Sequence, residues 1–200
     1  MDEKYMDAIL SIQTIAENSF SNHEYYHRYE PTPYSALHYL FEHYEINRKD
    51  RVVDFGCGKG RLVFYTNYFW QSFCTGIEVD EKLYQEALIN KDRFCKKRKN
   101  SNHKLSFHCC LAEEYEIEPS DNIFYFFNPF SVKIFIKVVK RILDSLEEYP
   151  RHVDILLYYP HEDYIFFLER HTPFTLCKEI RIPELYHKDS NERFLIYRYS

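Results

Sequence analysis

Only four glycines occur in 200 residues, and three of them, Gly56, Gly58 and Gly60, fall within five positions directly after the apolar run Val52-Val53-Asp54-Phe55. Glycine accepts positive φ and lets other groups approach the main chain, so a glycine-poor chain that gathers it behind a strand needs that freedom there. The fourth, Gly76, stands before Ile77-Glu78-Val79, which presents an acid about twenty residues beyond the cluster, the spacing of a strand–loop–helix nucleoside site. Glycine placement therefore nominates both halves of one pocket, a loop and a carboxylate.

Around this pair the apolar pattern alternates between strand and helix. The periodicity predicts an amphipathic helix from Asp2 to about Ser21, then a rigid Pro31-Thr32-Pro33 turn, then a helix from Ser35 to Tyr44 capped by Thr32 or Ser35. Strands follow at Arg51 to Phe55, Phe73 to Glu78, Leu105 to Cys110, Ile123 to Phe127 and Val153 to Tyr159. Between and after them come helices from Gly58 to Phe69, Glu81 to Lys97, Val132 to Glu148 and Asp163 to Arg170. Repeated βα units imply a parallel sheet, whereas Phe174 to Ile182 and Arg193 to Tyr199 read as an antiparallel hairpin. No repeat or linker divides the sequence, so one domain over 1–200 is expected, with 1–45 as a helical cap.

Hydrophobic content of 45% supports a substantial core, and aromatic content of 18% makes rings its main material. A net charge of −5 disfavours non-specific nucleic-acid binding. Six cysteines form no C-x-x-C pair and the sequence opens Met1-Asp2-Glu3-Lys4 without a signal peptide, which points to a reducing cytoplasm. Neighbouring Cys109 and Cys110 point to opposite faces of a strand and suit free thiols better than a metal; none is expected. No apolar run has the roughly twenty residues of a membrane span.

The loop itself excludes two common cofactor motifs. In a dinucleotide fingerprint counted from Gly56 the third glycine position is Arg61, and Gly58-Lys59-Gly60 lacks the upstream glycine and following hydroxyl of a P-loop. What remains is Asp54-x-Gly56-Cys57-Gly58-x-Gly60, which resembles motif I of the class I S-adenosylmethionine-dependent methyltransferases over roughly Tyr29 to Tyr159. The Pro-Thr-Pro turn and Asn128-Pro129-Phe130 further resemble a bacterial subgroup of that family. The resemblance implies an α/β, Rossmann-like methyltransferase domain with a mostly parallel seven-stranded sheet and a C-terminal antiparallel hairpin. It implies S-adenosyl-L-methionine as cofactor, held by Asp54, Gly56, Cys57, Gly58, Gly60 and Glu78, with Glu78 on the ribose hydroxyls and Thr32 near the methionine end. Leu111 occupies the place of the family's adenine-binding acid; either Glu113 substitutes from a shifted backbone or adenine is held by apolar and main-chain contacts.

Asn128-Pro129-Phe130 follows the fourth strand, at the carboxyl edge where open α/β sheets bind ligands. It resembles the N-P-P-[YF] motif of amino-group methyltransferases, which implies Asn128 and the Pro129 carbonyl as acceptors for a target nitrogen and Phe130 as a stacking ring. The alternative is an Asn-Pro turn with Phe130 packed inward. His161 could accept a proton at the same edge. Lys91 to Lys99, with Phe94, reads either as an RNA-binding stretch or as a solvated helix end. The methyl acceptor, nitrogen or oxygen, stays open between a protein amine, a small molecule and RNA. The rival readings are a non-catalytic binding module on the same fold and a nicotinamide-dependent oxidoreductase.

Overall fold

The computed structural model describes residues 2–15, 27 and 29–200. Strands β1 (Arg51–Phe55), β2 (Phe73–Glu78), β3 (Leu105–Cys109), β4 (Ile123–Phe126) and β5 (Val153–Tyr158) run parallel. The last two strands, β6 (Thr175–Arg181) and β7 (Arg193–Tyr199), are antiparallel to each other, with β7 also antiparallel to β5. One sheet results, in the order β3-β2-β1-β4-β5-β7-β6. The chain steps outward from β1 through β2 to β3 and then returns to place β4 on the other side of β1. The crevice at the carboxyl ends of β1, β2 and β4 is therefore the topological switch point, where such sheets bind ligands.

Helices α1 (Glu3–Leu10), α2 (Tyr34–His43), α3 (Arg61–Trp70) and α4 (Glu81–Lys97) share one core with Val52, Tyr125 and Leu156. Two more, α5 (Val132–Glu148) and α6 (Glu162–His171), share the other with Val53, Phe55, Phe124 and Phe126. Covered on both faces, β4 and β5 are buried at every position and read as continuous apolar runs rather than alternating ones. Between β6 and β7 a single helical turn, α7 (Pro183–Tyr186), occupies the loop.

The N-terminal helix ends far earlier than its apolar periodicity predicts. Ser11 takes a left-handed φ of 62°, its N–H closes on Ala8 O, and Ile12 N–H bonds Asp7 O. The cause is Asp7, a buried carboxylate that accepts from Thr14 N–H at 2.6 Å, Thr14 Oγ1 at 2.7 Å and Tyr34 Oη at 2.6 Å. A continuous helix would hold Thr14 about 10 Å up the axis from Asp7. The chain reverses instead, and apolar Ile12 is buried by that return. The remainder of the predicted helix, 16–21, lies outside the described residues. Neither Thr32 nor Ser35 caps α2: Pro33 holds the cap position, and the Glu3 carboxylate of α1 accepts from Tyr34 N–H at 3.0 Å.

Core packing on the α5 side is ring upon ring: fully buried Phe135 stacks on Tyr164 at 3.8 Å and meets Phe126 edge-on at 5.1 Å. Phe135→Ala is expected to cost about 3–5 kcal/mol of unfolding free energy in urea denaturation, through lost transfer energy plus an unfilled cavity.

Candidate functional site

After Phe55 the glycine loop folds back over the end of β2. The N–H groups of Gly56 and Cys57 both donate to Ile77 O, at 2.9 and 3.0 Å, and Gly60 N–H donates to Cys57 O at 2.8 Å. Gly58 N–H donates to Glu78 Oε2 at 2.8 Å, while Glu78 Oε1 accepts from Val79 N–H and Asp80 N–H at 2.9 Å each. Such a loop requires φ of 78°, 53° and 87° at its three glycines, a region closed to most side chains.

Asp54 lies beside Glu78. In the sheet register it stands between Gly76 of β2 and Tyr125 of β4, and it is buried. Burial, then the charge of Glu78, pushes its carboxyl up to about 8. Glu78 is also raised by burial, against which the N–H bonds from Asp80, Gly58 and Val79 pull down. Two carboxylates withdrawn from water at adjoining strand ends favour a ligand that brings hydroxyl donors or a cation.

The space in front of each glycine is filled by this chain. A Cβ on Gly56 would stand 2.5 Å from Pro129 Cβ, one on Gly60 2.8 Å from the Phe64 and Phe107 rings, one on Gly76 2.6 Å from Cys57 Sγ, and one on Gly58 would overlap the Tyr29 ring. Close packing of the protein on itself thus demands these glycines, whether or not a ligand also lies nearby. Lys59, between two of them, turns away to pair with Glu86 at 2.8 Å.

At the end of β4, Asn128 adopts φ of 40°, and its side-chain Oδ1 is buried with no hydrogen-bond partner among the described residues. An orphaned buried acceptor at a switch point marks a place for a donor. The two adjoining carbonyls are already engaged: His27 Nδ1 donates to Asn128 O at 2.7 Å and His27 N–H to Pro129 O at 2.9 Å. Phe130 is fully buried, edge-on to Phe126, and its carbonyl accepts from Tyr164 Oη. The inward-packed alternative is the one observed, because α5 and α6 close over the ring. Half-buried Phe127, which contacts Tyr158 and Tyr159, is the ring on the opposite face.

The remaining predicted residues are placed as follows. Thr32 is buried with its hydroxyl 2.7 Å from Tyr125 Oη, one strand from Asp54. Glu113 pairs with Lys137 of α5 at 3.2 Å. His161 caps α6, its Nδ1 accepting from Asp163 N–H at 3.2 Å. Phe94 is fully buried against Phe64, so it offers no face for a base, and Arg98 donates inward to Ile9 O and Leu10 O. Among the described residues no group of three or more His, Cys, Asp or Glu side chains converges as for a metal, and no helix is long and apolar enough to cross a membrane. Sequence reasoning passed over His27, Tyr29 and Arg61. Arg61 carried a signal, since a cation in the first turn of a helix opposes the helix dipole.

No protein-family model and no curated protein sequence matches the chain. Its fold does match solved structures. An RNA methyltransferase from Salinibacter ruber in complex with S-adenosyl-L-homocysteine superposes with TM-score 0.56 at 17% identity, covering 85% of this chain and 92% of that one. An rRNA methylase from Streptococcus thermophilus gives TM-score 0.55 at 14% identity, over 82% and 92%. Geranyl diphosphate C-methyltransferase from Streptomyces coelicolor A3(2), in complex with Mg2+, geranyl diphosphate and S-adenosyl-L-homocysteine, gives 0.56 at 7%, over 82% and 77%. At these identities the likeness is one of fold: the chain has the Rossmann-like, seven-stranded architecture found in these methyltransferases.

Asp54 gives the site a pH signature. The folded protein keeps the Asp54 proton up to about pH 8, whereas the unfolded chain releases it in the ordinary carboxylate range, so this residue makes stability fall as pH rises between those limits. Asp54→Asn removes the titration. Its stability advantage over the wild type should widen from about pH 5 to about pH 8 and then level off, as read by urea denaturation across that range; an advantage independent of pH would show that Asp54 is ionised throughout.

Proposed function

We propose that the protein is an S-adenosyl-L-methionine-dependent methyltransferase acting on a nitrogen or oxygen acceptor. The observation that carries this reading is the Glu78 carboxylate, fixed by three main-chain N–H bonds at the switch point beside buried Asp54. Solved proteins of the same fold carry S-adenosyl-L-homocysteine. The acceptor set fits that cofactor: Glu78 Oε2, which takes only the Gly58 N–H, keeps a lone pair for a ribose hydroxyl, and a bound ammonium would favour the ionised form of neighbouring Asp54.

When bound, the cofactor supplies a methyl group already activated on a sulfonium. The protein's own part is to bind, to orient and to exclude water. Glu78 would accept from the ribose, with Asp54, Cys57 and the loop backbone beside it, while Thr32, Glu113 and the glycines 56, 58 and 60 complete the proposed cofactor set. Asn128 Oδ1, without a partner among the described residues, would accept a hydrogen bond from the methyl acceptor and turn its lone pair toward the reacting carbon; Pro129 supports that turn. Protein amines, small molecules and RNA remain the acceptor classes, and a cytoplasmic location is proposed with them. One observation favours the rival, a non-catalytic binding module: the Pro129 carbonyl, which the motif would offer to substrate, is held by His27.

Calorimetry with S-adenosylhomocysteine tests the reading. Wild-type protein should bind, and Glu78→Ala should weaken binding at least tenfold, ~1.4 kcal/mol. Binding that is indifferent to Glu78→Ala would refute the assignment. Asn128→Ala should keep cofactor affinity and lose transfer of tritiated methyl to lysate fractionated into protein, RNA and small-molecule pools; a wild type that binds yet labels no pool would favour the module.

A further inference from the structure

The residues above come from β1, β2 and β4, yet a segment that precedes the sheet closes over them. Tyr29 lays its ring directly on Gly58. Its hydroxyl donates to Thr14 O at 2.6 Å, Lys59 Nζ stands 5.8 Å from the ring centroid, and burial drives the phenol well above its ordinary range. Two positions earlier, His27 holds the carbonyls of Asn128 and Pro129. Residues 27 and 29 therefore bridge the loop after β1 and the loop after β4, the two loops between which a methyl group would pass.

Arg61 fastens this bridge. It opens α3 directly after Gly60 and is only 4% exposed. Nε donates to Thr14 Oγ1 at 2.8 Å, Nη1 donates to Thr32 O at 3.1 Å and pairs with the Glu3 carboxylate, and the guanidinium lies 4.3 Å from the Tyr34 ring centroid. Its partners belong to three separate stretches of the N-terminal segment. Because a cation at this end of a helix opposes the dipole, its position is explained by what it holds rather than by the helix. Thr14, which receives the Tyr29 hydroxyl on its carbonyl, receives Arg61 on its own hydroxyl, so the two contacts form one unit.

On the reading that the site takes S-adenosylmethionine, we propose that Tyr29 is a wall residue of the cofactor site and Arg61 the positioning residue that sets it, so that cofactor affinity depends on the N-terminal segment as well as on the sheet. The ring is half-buried and its hydroxyl is held by Thr14 O, so it is a held surface rather than a cover that swings away. Cofactor and N-terminal segment then stabilise one another reciprocally.

The test uses the full chain and S-adenosylhomocysteine, with calorimetry on the wild type, Tyr29→Phe, Tyr29→Ala and Arg61→Lys, and hydrogen exchange over residues 2–15 with and without ligand. Tyr29→Phe keeps the wall and should bind within about threefold of wild type, whereas Tyr29→Ala and Arg61→Lys should bind about tenfold more weakly or worse. Ligand should protect residues 2–15 in the wild type and not in Arg61→Lys, an effect that a merely structural residue would not produce. Equal or tighter binding by Tyr29→Ala, or no ligand-linked protection of residues 2–15, overturns the proposal while leaving the methyltransferase reading intact if Glu78→Ala still weakens binding at least tenfold. Absence of wild-type binding overturns both. Should Arg61→Lys fail to fold, the two Tyr29 variants and the wild-type exchange decide.

Discussion

Glu78 sits where two crossover units meet, and its carboxylate holds them in register. One oxygen takes the N–H of Gly58 from the loop after β1; the other takes the N–H groups of Val79 and Asp80 at the turn into α4. The bonds go to a carboxylate, and the one from Gly58 is fully buried, which makes the three together costly to lose. The glycine loop can afford its positive φ angles only because this anchor and the Ile77 carbonyl define where its N–H groups go. From that fixed corner follow the position of Asp54 beside it, the depth of Cys57 and the start of α3.

Strain gathers at the neighbouring strand ends. Phe126 of β4 pairs with Leu157 of β5, and two residues beyond that pair each chain carries a non-glycine residue in left-handed conformation, Asn128 at φ 40° and Tyr159 at 48°. Such residues persist where surrounding contacts over-determine them, and they cluster at functional sites. His27 holds Asn128 through its carbonyl, and Asp189 accepts from the Tyr159 hydroxyl at 2.5 Å. The carboxyl edge of β4 and β5 is thus shaped by the N-terminal segment on one side and the β6–β7 loop on the other.

Much of the architecture was legible because its causes are local in sequence. Strand runs, glycine punctuation and the apolar stripe of α5 placed all seven strands to within a residue or so at each end. The end of α1 was not legible, since it depends on Asp7 finding Thr14 and Tyr34, and no periodicity encodes a side-chain carboxylate that reverses the chain. For Phe130 and for the basic run around Phe94 the sequence left a ligand-facing reading and its alternative both open, because an aromatic beside a motif or a basic run has the same spelling whether it faces out or in; α5, α6 and α3 decided the matter by packing over the rings.

The sequence by itself determined the sheet, its handed crossovers, and which carboxylates and glycines meet at the switch point, because βα alternation permits few topologies and the chain contains almost no other glycine. Tertiary structure alone decided what stands against those glycines, how Asn128 is presented and which cation binds the N-terminal segment. These rest on contacts between residues far apart in the chain, such as Tyr29 with Gly58, His27 with Pro129 and Arg61 with Glu3, whose partners are chosen by shape and charge once the sheet has brought the segments together.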